Sequence, residues 1–220
     1  MTMSTSHFKP LFFVMLFLLP LTSHCADSDP LQDFCVADYS AKTSGDGFAC
    51  KPASEVKADD FFFSGLRYEG NTTNKFGTLT THGDVLSFPA LNTLGLSMNR
   101  VDFAPGGLNP PHIHPRSSEI VFVVEGTLLA GFLTSKHVLF SKVVNAGDMF
   151  VIPRSLVHFQ LNIGKTKART ITSFNSQFPG DPIMSTNLFG STPTIPNEVL
   201  TKTFQVDDNI VNLIKSKFSP

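Results

Sequence analysis

The stretch "NPPHIHPRSSEIVFVVEGTLLAGFL", residues 109–133, sets two histidines one residue apart between prolines, then a glutamate, then a long apolar run. From Ser118 to Leu133 the run is apolar on both parities, as in strands of a sheet covered on both sides. A turn at Glu125–Gly126 divides it in two. Further short apolar segments follow: "HVLFSKVV" (137–144), "DMFVIP" (148–153), "LVHFQLNIG" (156–164) and "ARTITSFNS" (168–176). Gly, Asn and Pro stand between them. Upstream, "LGLSMNRVDF" (94–103) places Leu94, Leu96, Met98 and Arg100 on one parity and Gly95, Ser97, Asn99 and Val101 on the other. Short strands at regular spacing with turn residues between them predict an all-β sandwich or barrel from about Thr78 to Phe174.

The pattern changes at both ends. After the loop "GSTPTIP" (190–196), "PNEVLTKTFQV" opens with helix-starting residues. "DDNIVNLIKSKF" (207–218) carries acids first and lysines last, matching the helix dipole, with Ile210, Val211, Ile214 and Phe218 on one face. One or two amphipathic C-terminal helices are expected, their apolar stripe covering this barrel or a neighbour's.

The N-terminus reads differently: one lysine, Lys9, then an apolar stretch from Leu11 to Leu21, then small and polar residues. That is the layout of a secretory signal peptide, residues 1–25, cut after Cys25. The stretch is shorter than the ~20 residues of a membrane span, which disfavours the alternative of a retained anchor. Residues 26–58 form a polar, turn-rich extension, and 59–216 the folded domain with its helices. Removing the signal leaves 16 basic and 18 acidic side chains, so no polybasic surface advertises nucleic acid. It also leaves two cysteines, Cys35 and Cys50. An even count in an exported chain favours a disulfide over free thiols, worth roughly 3 kcal/mol for so short a loop. Asn71-Thr72-Thr73 is a glycosylation sequon in a turn-like stretch.

His112, His114 and Glu119 are metal-capable, and His158 on a later strand can join them. Alternate residues of an extended strand point the same way, so the first two histidines can converge. Glu119 has the opposite parity and needs a turn in "PRSS" (115–118) to reach them. Three imidazoles and one carboxylate suit a divalent ion of intermediate softness, such as Mn²⁺ or Fe²⁺, with positions left for small molecules. Structural zinc would favour thiolates. The bland alternative is four side chains that each hydrogen-bond separately.

Spacing sharpens the reading. Residues 106–126 fit G-x5-H-x-H-x4-E-x6-G, and residues 147–162 fit G-x5-P-x4-H-x3-N. These resemble the two motifs of the cupin superfamily. "PLQDFCVAD", "NTLGLSMNRVDFAPGG", "NPPHIHP", "VIPRSLVHFQLNIGKT", "SFNSQFPG" and "LFGSTPTIP" are similar to germins and germin-like proteins across the whole mature chain. The resemblance implies a jelly-roll β-barrel with C-terminal helices, bound Mn(II), and secretion to the plant apoplast and cell wall. It also implies a homo-oligomer, a hexamer built as a trimer of dimers. Carried over by position, His112, His114, Glu119 and His158 are the metal ligands, and Cys35–Cys50 is the family disulfide. Asn99 and Asn109 fall where oxalate oxidase germins hold substrate.

Two departures stand out. The second motif has Ser155 where the family has glycine, a residue type used where φ is positive. The loop "LTSKHVLF" (133–140) is shorter than its oxalate oxidase counterpart, and His137 in it is expected to be exposed. The functions implied are a peroxide-generating Mn redox enzyme, dismuting superoxide or else oxidising oxalate, or a non-enzymatic wall storage, receptor or scaffold protein. Neither nucleic acid nor membrane is expected as a partner.

Overall fold

A computed structural model describes residues 32–42 and 47–218. The expected signal peptide, residues 1–25, and its expected cleavage point lie outside them. The strands are β1 (Thr78–Gly83), β2 (Ser97–Phe103), β3 (Leu108–His112), β4 (Glu119–Glu125), β5 (Thr127–Leu133), β6 (Leu139–Asn145), β7 (Met149–Ile152), β8 (His158–Asn162) and β9 (Ala168–Phe174). They pair antiparallel in two sheets, β1-β2-β9-β4-β7 and β3-β8-β5-β6. The β region therefore begins at Thr78 and ends at Phe174, where the residue pattern put it.

Alternation sorts each strand into inner and outer residues. In β9, Ala168, Thr170, Thr172 and Phe174 are buried; in β8, His158, Gln160 and Asn162 are. The inner residues change character along the strands. One end is apolar: Val101, Phe103, Val123, Leu128, Ala130, Val144 and Ala168, with Phe150 against them. The other end is polar and carries the histidines. The apolar end stabilises the barrel, and the polar end is held open by it.

The outer face of the five-stranded sheet departs from the expectation of cover on both sides. Met98, Ile120 and Val151 lie in adjoining register across β2, β9, β4 and β7, with Phe122 beside Met149. All five are exposed in the single chain, Met149 at 68%. On β2 Met98 faces out, Arg100 and Asp102 of the same parity are buried in an ion pair, and Ser97, Asn99 and Val101 face in.

Three helices follow the barrel: α1 (Met184–Phe189), α2 (Asn197–Phe204) and α3 (Asp208–Lys215). The last two were expected. α1 was not, since six residues without a side-chain cap carry little period. Phe189, Leu200 and Val211 form a second small core with Leu188, Ile195, Val206, Ile214 and Phe218 around it. Ile210, expected on this face, is 43% exposed instead. Asp207 caps α3 by accepting a hydrogen bond from the Ile210 N–H at 3.0 Å. No helix among the described residues is long and apolar enough to cross a membrane.

The extension is stapled to the barrel. Cys35 and Cys50 are disulfide-bonded. The Ala37 N–H donates to the Pro89 carbonyl at 3.0 Å, and Asn92 Nδ2 donates to the Phe48 carbonyl at 2.9 Å. Asn71 is exposed, its Oδ1 accepting from the Thr73 N–H at 2.9 Å.

Leu128 is fully buried in the apolar end of the barrel. Leu128→Ala is expected to lower unfolding free energy by about 2–5 kcal/mol, read from denaturant midpoints at unchanged slope.

Candidate metal centre

His112 ends β3, His114 lies two residues beyond, Glu119 opens β4 and His158 opens β8. His112 and His158 are cross-strand partners on the β3–β8 pair, after a register shift between Asn109 and His112. A turn at Pro115–Arg116 reverses the chain and brings in Glu119. The opposite parity of that residue is thus resolved by the turn that "PRSS" required. One ligand-capable atom from each of the four lies within 4.8 Å of the others, and all four side chains are buried.

The three rings are oriented by carbonyls. His112 Nδ1 sits 2.8 Å from the Pro110 carbonyl, His158 Nδ1 2.8 Å from the Leu156 carbonyl, and His114 Nδ1 against the Gly180 carbonyl. A carbonyl can only accept, so each Nδ1 carries the proton and each Nε2 presents a lone pair. His158 Nε2 then faces Glu119 Oε2 at 2.9 Å, and His114 Nε2 faces it at 3.3 Å. Glu119 Oε2 and His158 Nε2 are buried and make no hydrogen bond. Two acceptors at that separation repel unless a proton or a metal cation lies between them. The donor set therefore fits a divalent metal ion on the chain's own geometry.

The His112 ring agrees with a neutral ligating role, whereas without an ion a proton shared between His114 and Glu119 compensates the carboxylate. Burial, then the neighbouring His158, pushes the His112 imidazole down to about 3, so it stays neutral and able to ligate. Burial pushes the Glu119 carboxyl up, but the imidazoles of His114 and His158 outweigh it and hold the carboxyl below its usual range. Burial pushes His114 down, and its contact with Glu119 more than reverses that.

His112, His114 and Glu119 line a cavity of about 190 Å³, and His158 lies fully buried beside them. Asn99 and Asn109 both line the cavity, as do Val101, Phe174 and Ile183. Asn99 Oδ1 accepts from the Gly83 N–H at 3.3 Å, which leaves its Nδ2 as the donor. Asn109 Nδ2 donates to Gln160 Oε1 at 2.9 Å. Gln160 was missed by the sequence reading. It lies two residues after His158 on the same inward face of β8, and its buried Nε2 has no partner. Strand parity alone would have found it.

Ser155 occupies φ +63°, so serine keeps the left-handed conformation that glycine adopts more easily. The Ser155 N–H donates to the His114 carbonyl at 3.2 Å, and its Oγ to the Pro115 carbonyl at 3.3 Å. These bonds tie the two motifs together and keep His158 fully buried in place. His137 is exposed, as expected, and also has positive φ.

Ser155→Gly is expected to raise stability by roughly 0.5–1 kcal/mol, since relief of the left-handed strain exceeds one weak hydrogen bond. Thermal unfolding of matched metal-free samples measures it. A second expectation concerns pH. The unfolded chain protonates His112 near 6.5 and the folded one only near 3, so the unfolded state binds the extra proton in between. The metal-free protein should lose stability as pH falls from 6.5 towards 3, and His112→Gln should flatten that slope in denaturant titrations.

Comparison with known proteins matches this arrangement. The family profile described as Cupin fits residues 64–212. Germin-like protein subfamily T member 2 of Arabidopsis thaliana is 58% identical over 217 residues, 98% of this chain and 97% of that protein. Oxalate oxidase GF-2.8 of Triticum aestivum is 53% identical over 211 residues, 94% of each chain. A recombinant oxalate oxidase solved in complex with glycolate superposes with a TM-score of 0.85 at 55% identity, covering 87% of this chain and 98% of that one. With its two-sheet barrel, its C-terminal helices and its buried three-histidine, one-glutamate cluster, the chain belongs to the germin-like proteins of the cupin family.

Proposed function

We propose that this germin-like protein is a manganese-loaded, peroxide-generating redox enzyme of the apoplast, acting on superoxide. One observation carries the reading. A buried carboxylate oxygen of Glu119, which lines a small cavity, and a buried imidazole nitrogen of His158 face each other at 2.9 Å. His112, His114 and His158, through Nε2, and Glu119 would hold the ion. Manganese bound there would supply one-electron redox chemistry and positions open to a small molecule. The chain's own groups do the rest. The carbonyls of Pro110, Leu156 and Gly180 keep the imidazoles in the ligating tautomer. Val101, Phe174 and Ile183 line the approach with apolar surface. Two superoxide ions and two protons give dioxygen and hydrogen peroxide.

Oxalate oxidation is the second reading, favoured by a specific observation. Asn99 and Asn109 bring two amides to the cavity, and Gln160, hydrogen-bonded to Asn109, keeps a buried unpartnered donor. Such donors suit carboxylate oxygens. Oxalate, dioxygen and two protons would give two carbon dioxide molecules and hydrogen peroxide. The 53–55% identity to oxalate oxidases supports this reading too. A non-enzymatic wall storage, receptor or scaffold role is the third reading.

The finer parts of the proposal rest on other observations. Residues 1–25 act as a signal peptide, 26–58 as the disulfide-pinned extension and 59–216 as the functional domain. Asn71 is the glycan acceptor, being exposed and in a loop. The chain assembles as a hexamer, a trimer of dimers, with the exposed apolar face of the five-stranded sheet and the outward Leu213 and Phe204 as contact surface.

The test is peroxide release by the secreted, manganese-loaded protein, with superoxide and oxalate supplied separately. Peroxide from superoxide alone is the expected result. Peroxide from oxalate, lost in Asn109→Ala, would establish the second reading. His158→Ala should lower manganese content about tenfold or more by elemental analysis. Full manganese retention in that variant would remove His158 from the ligand set.

A further inference from the structure

Among the described residues lining the cavity, Asp181 is the one charged group outside the four-residue cluster. Its side chain is 53% exposed, so it stands at the mouth rather than the base. The segment that carries it is held on both sides by the metal-centre hairpin. The Arg116 N–H donates to the Pro179 carbonyl at 3.3 Å. The Gly180 carbonyl accepts from His114 Nδ1, and Ile183 bridges to His112. Gly180 itself has φ +71°, and a Cβ there would come within 2.9 Å of Arg116 Nη2. The backbone before and after Asp181 is therefore placed by the same residues that form the centre.

Across the rim, His82 on β1 faces the carboxylate, with Nε2 3.5 Å from Asp181 Oδ2. Thr78 and Thr80 precede His82 on the same parity of β1, and both line the cavity. The contact thus joins two walls of the cavity at its mouth.

We propose that Asp181 is a specificity-determining residue whose carboxylate, held at the cavity mouth, disfavours dianions relative to monoanions. The inference rests on the reading of the cavity as a small-anion site. Coulomb repulsion scales with the product of the charges. A dianion such as oxalate is opposed twice as strongly, on a logarithmic scale of affinity, as a monoanion such as superoxide at the same place. That ratio holds whatever the exact separation. Asp181 acts before chemistry, on which anion enters, and takes no part in holding the metal.

Binding, not turnover, tests it. Oxalate and glycolate, a dianion and a monoanion of similar size, are titrated calorimetrically into manganese-loaded wild-type, Asp181→Asn and Asp181→Glu proteins. For a separation of roughly 8 Å in water-like surroundings, Asp181→Asn should tighten oxalate about sixfold and glycolate about 2.4-fold. Asp181→Glu, which keeps the charge, should keep the wild-type ratio of the two affinities. In about 1 M salt, where the Debye length is about 3 Å, both gains should shrink towards one. Equal changes for the two anions, or no change, at unchanged manganese content would overturn the charge role alone. No binding of either anion by any of the three proteins would overturn the small-anion reading of the cavity, and this proposal with it.

Discussion

A carboxylate oxygen and an imidazole nitrogen, each buried and each an acceptor, face one another at 2.9 Å between Glu119 and His158. Left uncompensated, that contact would cost the fold far more than a surface ion pair could return. Much of the surrounding structure is arranged around it. Three backbone carbonyls take the Nδ1 protons and leave lone pairs pointing inward. The turn at Pro115–Arg116 brings Glu119 back to a point its strand parity would otherwise deny it. The rings of His112 and His158 lie 4.0 Å apart, close enough to share one cation and too close for each to be separately solvated.

The barrel makes this arrangement affordable by separating two jobs along its axis. Val123, Leu128 and Ala130 close one end, with no exposed surface among them. The other end keeps its polar side chains inward, on the same strands and in the same alternation. The two motifs are not independent pieces. Ser155, in a left-handed conformation, bonds to the carbonyls of His114 and Pro115, so the second motif is anchored on the first. The Pro179–Ile183 segment adds a third anchor and carries Asp181 to the cavity mouth. Position at the mouth follows from the same contacts that orient the metal-capable rings.

The outer surface completes the picture of why the strands are apolar on both parities. Residues such as Ile120 and Phe122 have neighbours in register yet remain open to water in one chain. An isolated strand pattern cannot say whether its second face meets a helix of the same chain or another molecule. Here the C-terminal helices satisfy themselves first, around Leu200 and Val211, and leave the sheet face uncovered. That is the surface on which the proposed assembly depends.

Local information was enough for much of this. Alternation, turn residues and spacing marked the β region from Thr78 to Phe174, the two terminal helices and the four residues of the centre, because each is a property of neighbours a few positions apart. The cysteine count indicated the bridge for the same kind of reason. Other features depended on distant segments meeting. The carbonyls that orient the rings include Gly180, 66 residues from His114 in sequence. Gln160 enters the site through Asn109, 51 residues away, and Asp181 meets His82 across the rim. Ser155 keeps a left-handed conformation tied to the His114 and Pro115 carbonyls, 41 and 40 residues away. The sequence by itself determined which residues could form a metal site and on what scaffold. Only the tertiary structure decided their tautomers, their facing acceptors and the charge at the entrance, since these arise from through-space contacts that no local spacing encodes.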